Sequence, residues 1–184
     1  KYVVLDSPSD DKTTNLFGVV FRTEESSFLV GYIAGMTTNT NQVGFVGGIN
    51  DDNIATFEYG YKAGVEFAAK ERKTNINISS EYVGSYVDSA TAKELAITQY
   101  SNGADVVFVA AGPASVGVIE AAAESQKYCI GVDSDQALAY EGKDEANYII
   151  SSAIKNVGES LCNAVEKAVD GTLPYGEYQI LGIE

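Results

Sequence analysis

The segment "ADVVFVAAGPASVGVIEAAAESQKYCIGVDSDQ", residues 104–136, decides the fold of this chain. Residues 104–112 and 127–134 are continuous apolar runs rich in Val, Ile, Phe and Tyr, which is typical of strands covered on both faces. Residues 114–126 have the length and composition of a crossover helix. The segment therefore predicts a strand–helix–strand unit with parallel strands.

The same alternation extends in both directions along the chain. Further strand-like runs lie at 2–7, 16–21, 42–48, 76–85 and 147–154, and further helical patterns lie at 53–72, 89–104 and 156–171. In the helix at 53–72, apolar residues recur every three or four positions, and Gly60 and Gly64 suggest close approach to a sheet. This repetition predicts an α/β fold with doubly wound parallel sheets.

The distribution of these elements predicts two lobes. Residues 42–150 contain a complete α/β unit, lobe 2. Residues 1–41 and 151–184 hold too few strands for a second complete unit, so we expect a partial lobe 1 whose other strands lie upstream of residue 1. The polar stretch "TTNTNQ" (37–42) is the best candidate for a crossover between the lobes.

Composition excludes several classes of function. The 184 residues carry a formal net charge of −14, which opposes binding to a phosphate backbone, so we expect no nucleic acid partner. The chain has no His, which removes the commonest general base and zinc ligand, and we expect no cofactor and no metal. No apolar run is long enough to span a membrane. Cys129 and Cys162 lie in separate apolar segments, so we expect them to be buried and unbridged.

Candidate ligand-binding residues follow from the ends of the predicted strands, because open parallel sheets bind ligands beyond their carboxyl ends. Asp133 and Asp135 follow the strand at 127–134. Either these acids cap the segment after the strand, or one of them accepts hydrogen bonds from a ligand.

Three further strand ends supply candidates. Gly112 and Ser115 lie in "AAGPASVG" (110–117), which is either a tight strand-to-helix turn or a loop whose amides donate to a ligand. Asp6 ends the first strand. Lys155 follows the strand at 147–154 and is either an ordinary surface Lys or a donor to a hydroxyl or an acid in a cleft.

These motifs, in this order, resemble the basic membrane protein family of bacterial substrate-binding lipoproteins. The resemblance covers essentially the whole chain, and the pairing of "GFVGG" with "GVDSDQ" is its most specific part. The matching stretches are "SSFLVGYIAGMTT" (26–38), "VGFVGG" (43–48), "FEYGYKAGVEFA" (57–68), "YVGSYVD" (82–88), "GADVVFVAAG" (103–112), "GVIEAA" (117–122), "IGVDSDQ" (130–136) and "SAIK" (152–155).

The resemblance implies a periplasmic-binding-protein fold of type I that serves an ABC importer. It implies a purine nucleoside ligand, such as guanosine, inosine or adenosine, held between the lobes, and a membrane permease as partner. It places Asp133 on the ribose hydroxyls with Lys155 beside it. It also implies an extracytoplasmic protein, lipid-anchored to the cell membrane, that is not an enzyme.

Two departures from the family pattern affect the expected site. The glycine-threonine-glycine loop of the family reads "PAS" (113–115) here, so Ser115 stands where a backbone donor is expected. No ring-stacking aromatic is evident at the end of the strand at 104–112. The family's base-binding first strand and lipid-bearing Cys are expected upstream, so we expect weak nucleoside binding by this chain alone. An enzyme or a ligand-sensing regulatory domain on the same doubly wound fold is the alternative.

Overall fold

The computed structural model describes residues 1–9 and 13–183. The strands are β1 Tyr2–Leu5, β2 Leu16–Phe21, β3 Gln42–Gly47, β4 Asn77–Tyr82, β5 Val106–Ala110, β6 Tyr128–Asp133, β7 Ile149–Ile154 and β8 Tyr178–Leu181. The helices are α1 Thr23–Thr37, α2 Asp52–Arg72, α3 Ser89–Ser101, α4 Ser115–Ser125, α5 Gln136–Ala139 and α6 Val157–Val169. Two 3₁₀ turns lie at Gly112–Ala114 and Asp144–Tyr148. The chain forms two compact units, unit 1 (Lys1–Arg22 with Lys155–Glu184) and unit 2 (Thr23–Ile154).

Unit 2 is built on a five-stranded parallel sheet with the order β4-β3-β5-β6-β7. Successive residues of β5 point to opposite faces. Phe108 packs in a cluster with residues of α1 and α2, whereas Val107 and Val109 pack in a cluster with residues of α3 and α4. Both faces of the sheet are thus covered by helices, which explains why β5 is apolar without interruption. The doubly wound parallel architecture predicted from the sequence is confirmed.

Unit 1 contains a three-stranded parallel sheet with the order β1-β2-β8. Its small core consists of the buried Phe17, Val19, Ala164 and Leu173. The chain segments that flank unit 2 in sequence therefore pair in a separate sheet, as predicted. The strand β8 was not predicted from the sequence.

The boundaries of the units differ from the predicted divisions at 1–41, 42–150 and 151–184. The first boundary follows Arg22 because α1 packs closely against α2: a Cβ at Gly31 would collide with the carbonyl of Tyr61, and one at Gly64 with the carbonyl of Phe28. The close approach of Gly64 is therefore to a helix, not to the sheet as predicted. The second boundary follows Ile154 because all of β7 pairs with β6.

The polar stretch 37–42 is likewise a turn inside unit 2, not a crossover between units. The buried Asp105 carboxylate holds it in place. Its Oδ1 accepts from Thr38 Oγ1 at 2.5 Å, and its Oδ2 accepts from the backbone N–H groups of Asn39 and Thr40 at 2.7 and 3.1 Å. These three bonds tie the end of α1 to the start of β5.

The two cysteines are free, as predicted: Cys129 is buried in β6 of unit 2, whereas Cys162 is exposed on α6 of unit 1. The prediction that Cys162 is buried is therefore wrong. Within the described ranges, none of the helices combines the length and apolar character that a membrane span needs.

Candidate ligand site at the strand ends

The carboxyl ends of the strands in unit 2 meet at one edge of the sheet, as parallel pairing requires. The Gly48 amide, after β3, donates to the Ala110 carbonyl at the end of β5 at 2.9 Å. The Gly84 amide, after β4, donates to the Gly48 carbonyl at 2.8 Å. Backbone contacts therefore bring together the loops that follow β3, β4 and β5.

Asp133 and Asp135, the two acids at the end of β6 and just after it, have different positions and backbone conformations. Asp135 is the N-cap of α5, and its Oδ1 accepts from the Leu138 backbone N–H at 3.1 Å. Asp133 is the last residue of β6, half-buried, with φ +67°. Asp tolerates this left-handed conformation better than most residues, and non-glycine residues in it cluster at ligand sites. The capping interpretation therefore holds for Asp135, and Asp133 remains the candidate ligand residue.

The loop after β5 brings Gly112 and Ser115 to the same edge. Gly112 opens the 3₁₀ turn with φ +54°, a conformation that suits glycine. Ser115 begins α4 and is only 5% exposed. In the described part of the chain, no hydrogen-bond partner reaches Ser115 Oγ. The Ser115 hydroxyl can therefore form a hydrogen bond with a ligand. It lies at the N-terminus of α4, where the first backbone N–H groups of the helix can also donate to a ligand.

The sequence analysis missed Tyr86, the aromatic residue at this edge. Its ring lies over Gly48, where an added Cβ would stand 2.5 Å from it, and its Cδ1 lies 3.7 Å from the Cβ position at Gly112. The hydroxyl of Tyr86 donates to Asp51 Oδ2 at 2.8 Å, and its carbonyl accepts from the Ala114 N–H. The aromatic was expected at the end of β5, whereas Tyr86 follows β4 in the motif "YVGSYVD" (82–88).

Unit 1 brings two other predicted residues together. Lys155 Nζ lies 2.9 Å from Asp6 Oδ2, with only 10% of the Lys155 side chain exposed. The same Nζ lies 5.7 Å from the centroid of the Phe21 ring, within cation–π range. Asp6 follows β1 with φ +60°, so it shares the left-handed conformation of Asp133.

The predicted approach of the Asp133 and Lys155 side chains stays a prediction. Strands β6 and β7 are parallel neighbours, and Asp133 is in register with Ile154, the residue directly before Lys155. The Lys155 side chain forms an ion pair with Asp6, which follows β1.

A second polar cluster lies beside this edge, between α2 and β4. Tyr82 donates to Glu58 Oε2 at 2.5 Å, and Lys62 Nζ lies 2.5 Å from Glu58 Oε1. Burial of the Glu58 carboxyl raises its pKa, but the bonds from Lys62 and Tyr82 outweigh burial, and the net pKa is lowered. Burial and the Glu58 carboxylate raise the pKa of Tyr82. Glu58 is therefore held as a carboxylate that anchors α2 to β4.

Solved structures share this fold. An ABC transporter solute-binding protein from Aeropyrum pernix K1 matches with a TM-score of 0.91 and 26% identity, over 100% of this chain and 51% of that one. A transcriptional activator of the comK gene from Bacillus halodurans matches with a TM-score of 0.78 and 20% identity, over 98% of this chain and 58% of that one. The fold is thus the periplasmic-binding-protein fold of type I, which occurs in transport proteins and in regulators.

Similar sequences of named proteins identify the family. "Basic membrane protein A1" from Borrelia garinii subsp. bavariensis is 41% identical over 88% of this chain and 46% of its own length. "ABC transporter nucleoside-binding protein BmpA" from Lactococcus lactis subsp. cremoris is 37% identical over 95% of this chain and 52% of its own length. The chain thus spans about half the length of these relatives. The family model described as "ABC transporter substrate-binding protein PnrA-like" matches residues 1–184. The chain belongs to this Bmp family of ABC transporter substrate-binding proteins.

Proposed function

We propose that this chain binds the sugar of a purine nucleoside for delivery to the membrane permease of an ABC importer. The observation that carries the proposal is Asp133, a half-buried acid in a left-handed conformation at the carboxyl end of a central parallel strand. The family assignment and the printed name of the Lactococcus relative, a nucleoside-binding protein, support the ligand class.

The chemistry of the strand-end residues suits a ribose. An ionised carboxylate at Asp133 accepts hydrogen bonds from both hydroxyls of a cis diol. The Ser115 hydroxyl and the amides of the loop at Gly112 donate to sugar oxygens. The Tyr86 ring offers a face for stacking. In unit 1, the Lys155 ammonium donates to a further hydroxyl while Asp6 balances its charge.

The proposal includes binding without catalysis, since the family consists of substrate-binding proteins. It also includes an extracytoplasmic location and lipid anchoring of the protein to the cell membrane, both typical of such receptors. A regulatory sensor is the second candidate, and the regulator from Bacillus halodurans supports it by fold alone.

The test is an NMR titration of ¹⁵N-labelled protein with guanosine, inosine and adenosine. We expect weak, saturable shifts of the backbone amides at Asp133, Gly112 and Ser115. 2′,3′-Dideoxyinosine lacks the diol, so it should bind more weakly than inosine. It should produce smaller shifts than inosine at the same concentration and need a higher concentration to saturate. Equal responses to inosine and its dideoxy analogue would refute the role of the diol. Release of free base during the titration, detected by chromatography, would favour the enzyme alternative.

A further inference from the structure

A cavity lies at the opposite edge of the unit 2 sheet, where β3 and β4 begin and α3 ends. Its volume is about 210 Å³. Five neutral hydrogen-bonding side chains line it, those of Gln42, Asn77, Ser79, Gln99 and Asn102. The candidate nucleoside residues lie at the carboxyl ends of the strands, so this cavity is a separate site.

Gln99 supplies a buried acceptor in this cavity. The residue is only 3% exposed, and its Nε2 donates to the Phe45 carbonyl at 3.1 Å. Because a carbonyl can only accept, this bond fixes which end of the amide is Nε2 and leaves Oε1 facing away from Phe45. Among residues 1–9 and 13–183, no donor reaches Oε1. Buried acceptors are rarely left in this state, so a donor from outside the chain is needed.

The position of Oε1 is set by a glycine. A Cβ at Gly44 would overlap Gln99 Oε1, so the oxygen occupies the space that a side chain on β3 would take. Gly44 is in register with Ser79 of β4, and residues in register point to the same face of a sheet. The free acceptor therefore lies on the face from which the Ser79 hydroxyl projects.

We propose that this cavity binds a small neutral polyol, of the size of glycerol or erythritol, whose hydroxyl donates to Gln99 Oε1. The cavity has no charged lining residue, so neither an anion nor a cation is selected. Amide and hydroxyl groups can both donate and accept, which matches adjacent hydroxyls, while Ala104 contacts the carbon backbone of the ligand. The volume is below the roughly 300–1,000 Å³ of sites for drug-sized ligands.

The test is an NMR titration of the 184-residue chain with glycerol and with erythritol. The readout is the side-chain amide resonances of Gln42, Gln99 and Asn102. Ser79→Val places a larger apolar side chain in the cavity, and Val suits a strand. Asn77→Leu is a second variant that fills the cavity from another position on β4. Thr98→Val is the matched control, because Thr98 lies beside Gln99 on α3 but its hydroxyl donates to the Glu94 carbonyl within the same helix.

We expect the Gln99 and Asn102 side-chain amide resonances to shift and to saturate at millimolar concentrations of the polyol. The shifts should be unchanged in Thr98→Val and reduced at least tenfold in whichever filling variant keeps the native amide spectrum. Linear shifts spread over the surface, or saturable shifts that persist in the filling variants, would overturn the proposal. Water resonances that contact Gln99 and are not displaced by either polyol would also overturn it, since the cavity would then hold water only.

Discussion

Replacing Asp133 with Asn removes the negative charge while keeping a residue that tolerates φ +67°. Asp133→Asn should therefore keep the backbone conformation of the original residue. Asp133→Ala lacks the short polar side chain that makes this conformation tolerable, so it should lose about 1–2 kcal/mol of stability. The two variants separate the backbone contribution of the residue from its contribution to the ligand.

The effect on binding follows from the hydrogen bonds that the carboxylate can accept. A hydrogen bond to a charged group contributes about 1.5–3 kcal/mol. Asn keeps one acceptor oxygen, so Asp133→Asn should lose about one such bond, which lowers the affinity for inosine roughly 10- to 150-fold. Asp133→Ala loses both acceptors and should bind more weakly still.

The assay is inosine titration followed by NMR, with urea unfolding of each variant in parallel. Asp135→Asn is the matched control: Asp135 caps α5, and Asn caps nearly as well, so both stability and affinity should be unchanged. Equal loss of affinity in the Asp135 and Asp133 variants would refute the assignment. So would unchanged affinity in Asp133→Ala.

Three other predictions concern the same fold. Because the pKa of Glu58 is lowered in the folded state, its stabilisation should be present at pH 7 and lost as the pH falls through that pKa. Glu58→Gln should then cost about 1–3 kcal/mol in urea unfolding at pH 7 and progressively less as the pH falls below the ordinary pKa of a Glu carboxyl, and a pH-independent cost would contradict this. Burial raises the pKa of the Cys129 thiol to about 12, so a thiol reagent at pH 8 should label Cys162 rapidly and Cys129 only in denaturant. Rapid labelling of both would show that β6 opens. Gly48→Ala should displace the Tyr86 ring and weaken guanosine binding by about 1–3 kcal/mol, whereas unchanged affinity would remove Tyr86 from the site.

The buried strands could be predicted from the sequence, whereas the exposed strand β8 could not. Strands β3, β5 and β6 are covered on both faces, so burial alone makes them apolar and recognisable. Strand β8 exposes three of its four residues and pairs with β2, so no apolar run indicates it. Its partner lies at the other end of the chain, and such long-range pairing leaves no local signal.

The position of α1 was misjudged for a similar reason. Its contact with α2 is made by glycines, and a glycine indicates close approach without indicating to what. The candidate site shows the same limit. The strand-end positions of Asp133 and Gly112 could be read from the sequence, because parallel strands end together. The pairing of Lys155 with Asp6 depends on two segments on either side of unit 2, and the location of Tyr86 depends on the path of a loop.

The order in which the two units can be completed during synthesis follows from their connectivity. Unit 2 is one continuous segment, so all of its strands are available once residue 154 has emerged. Unit 1 is interrupted, and β2 can pair with β8 only after residues 22–177 have been made. During that interval one edge of β2 lacks the neighbour it has in the finished protein, and open strand edges invite pairing with other chains. We therefore expect unit 1 to be more prone to aggregation than unit 2 during synthesis, until residues 178–181 pair with β2.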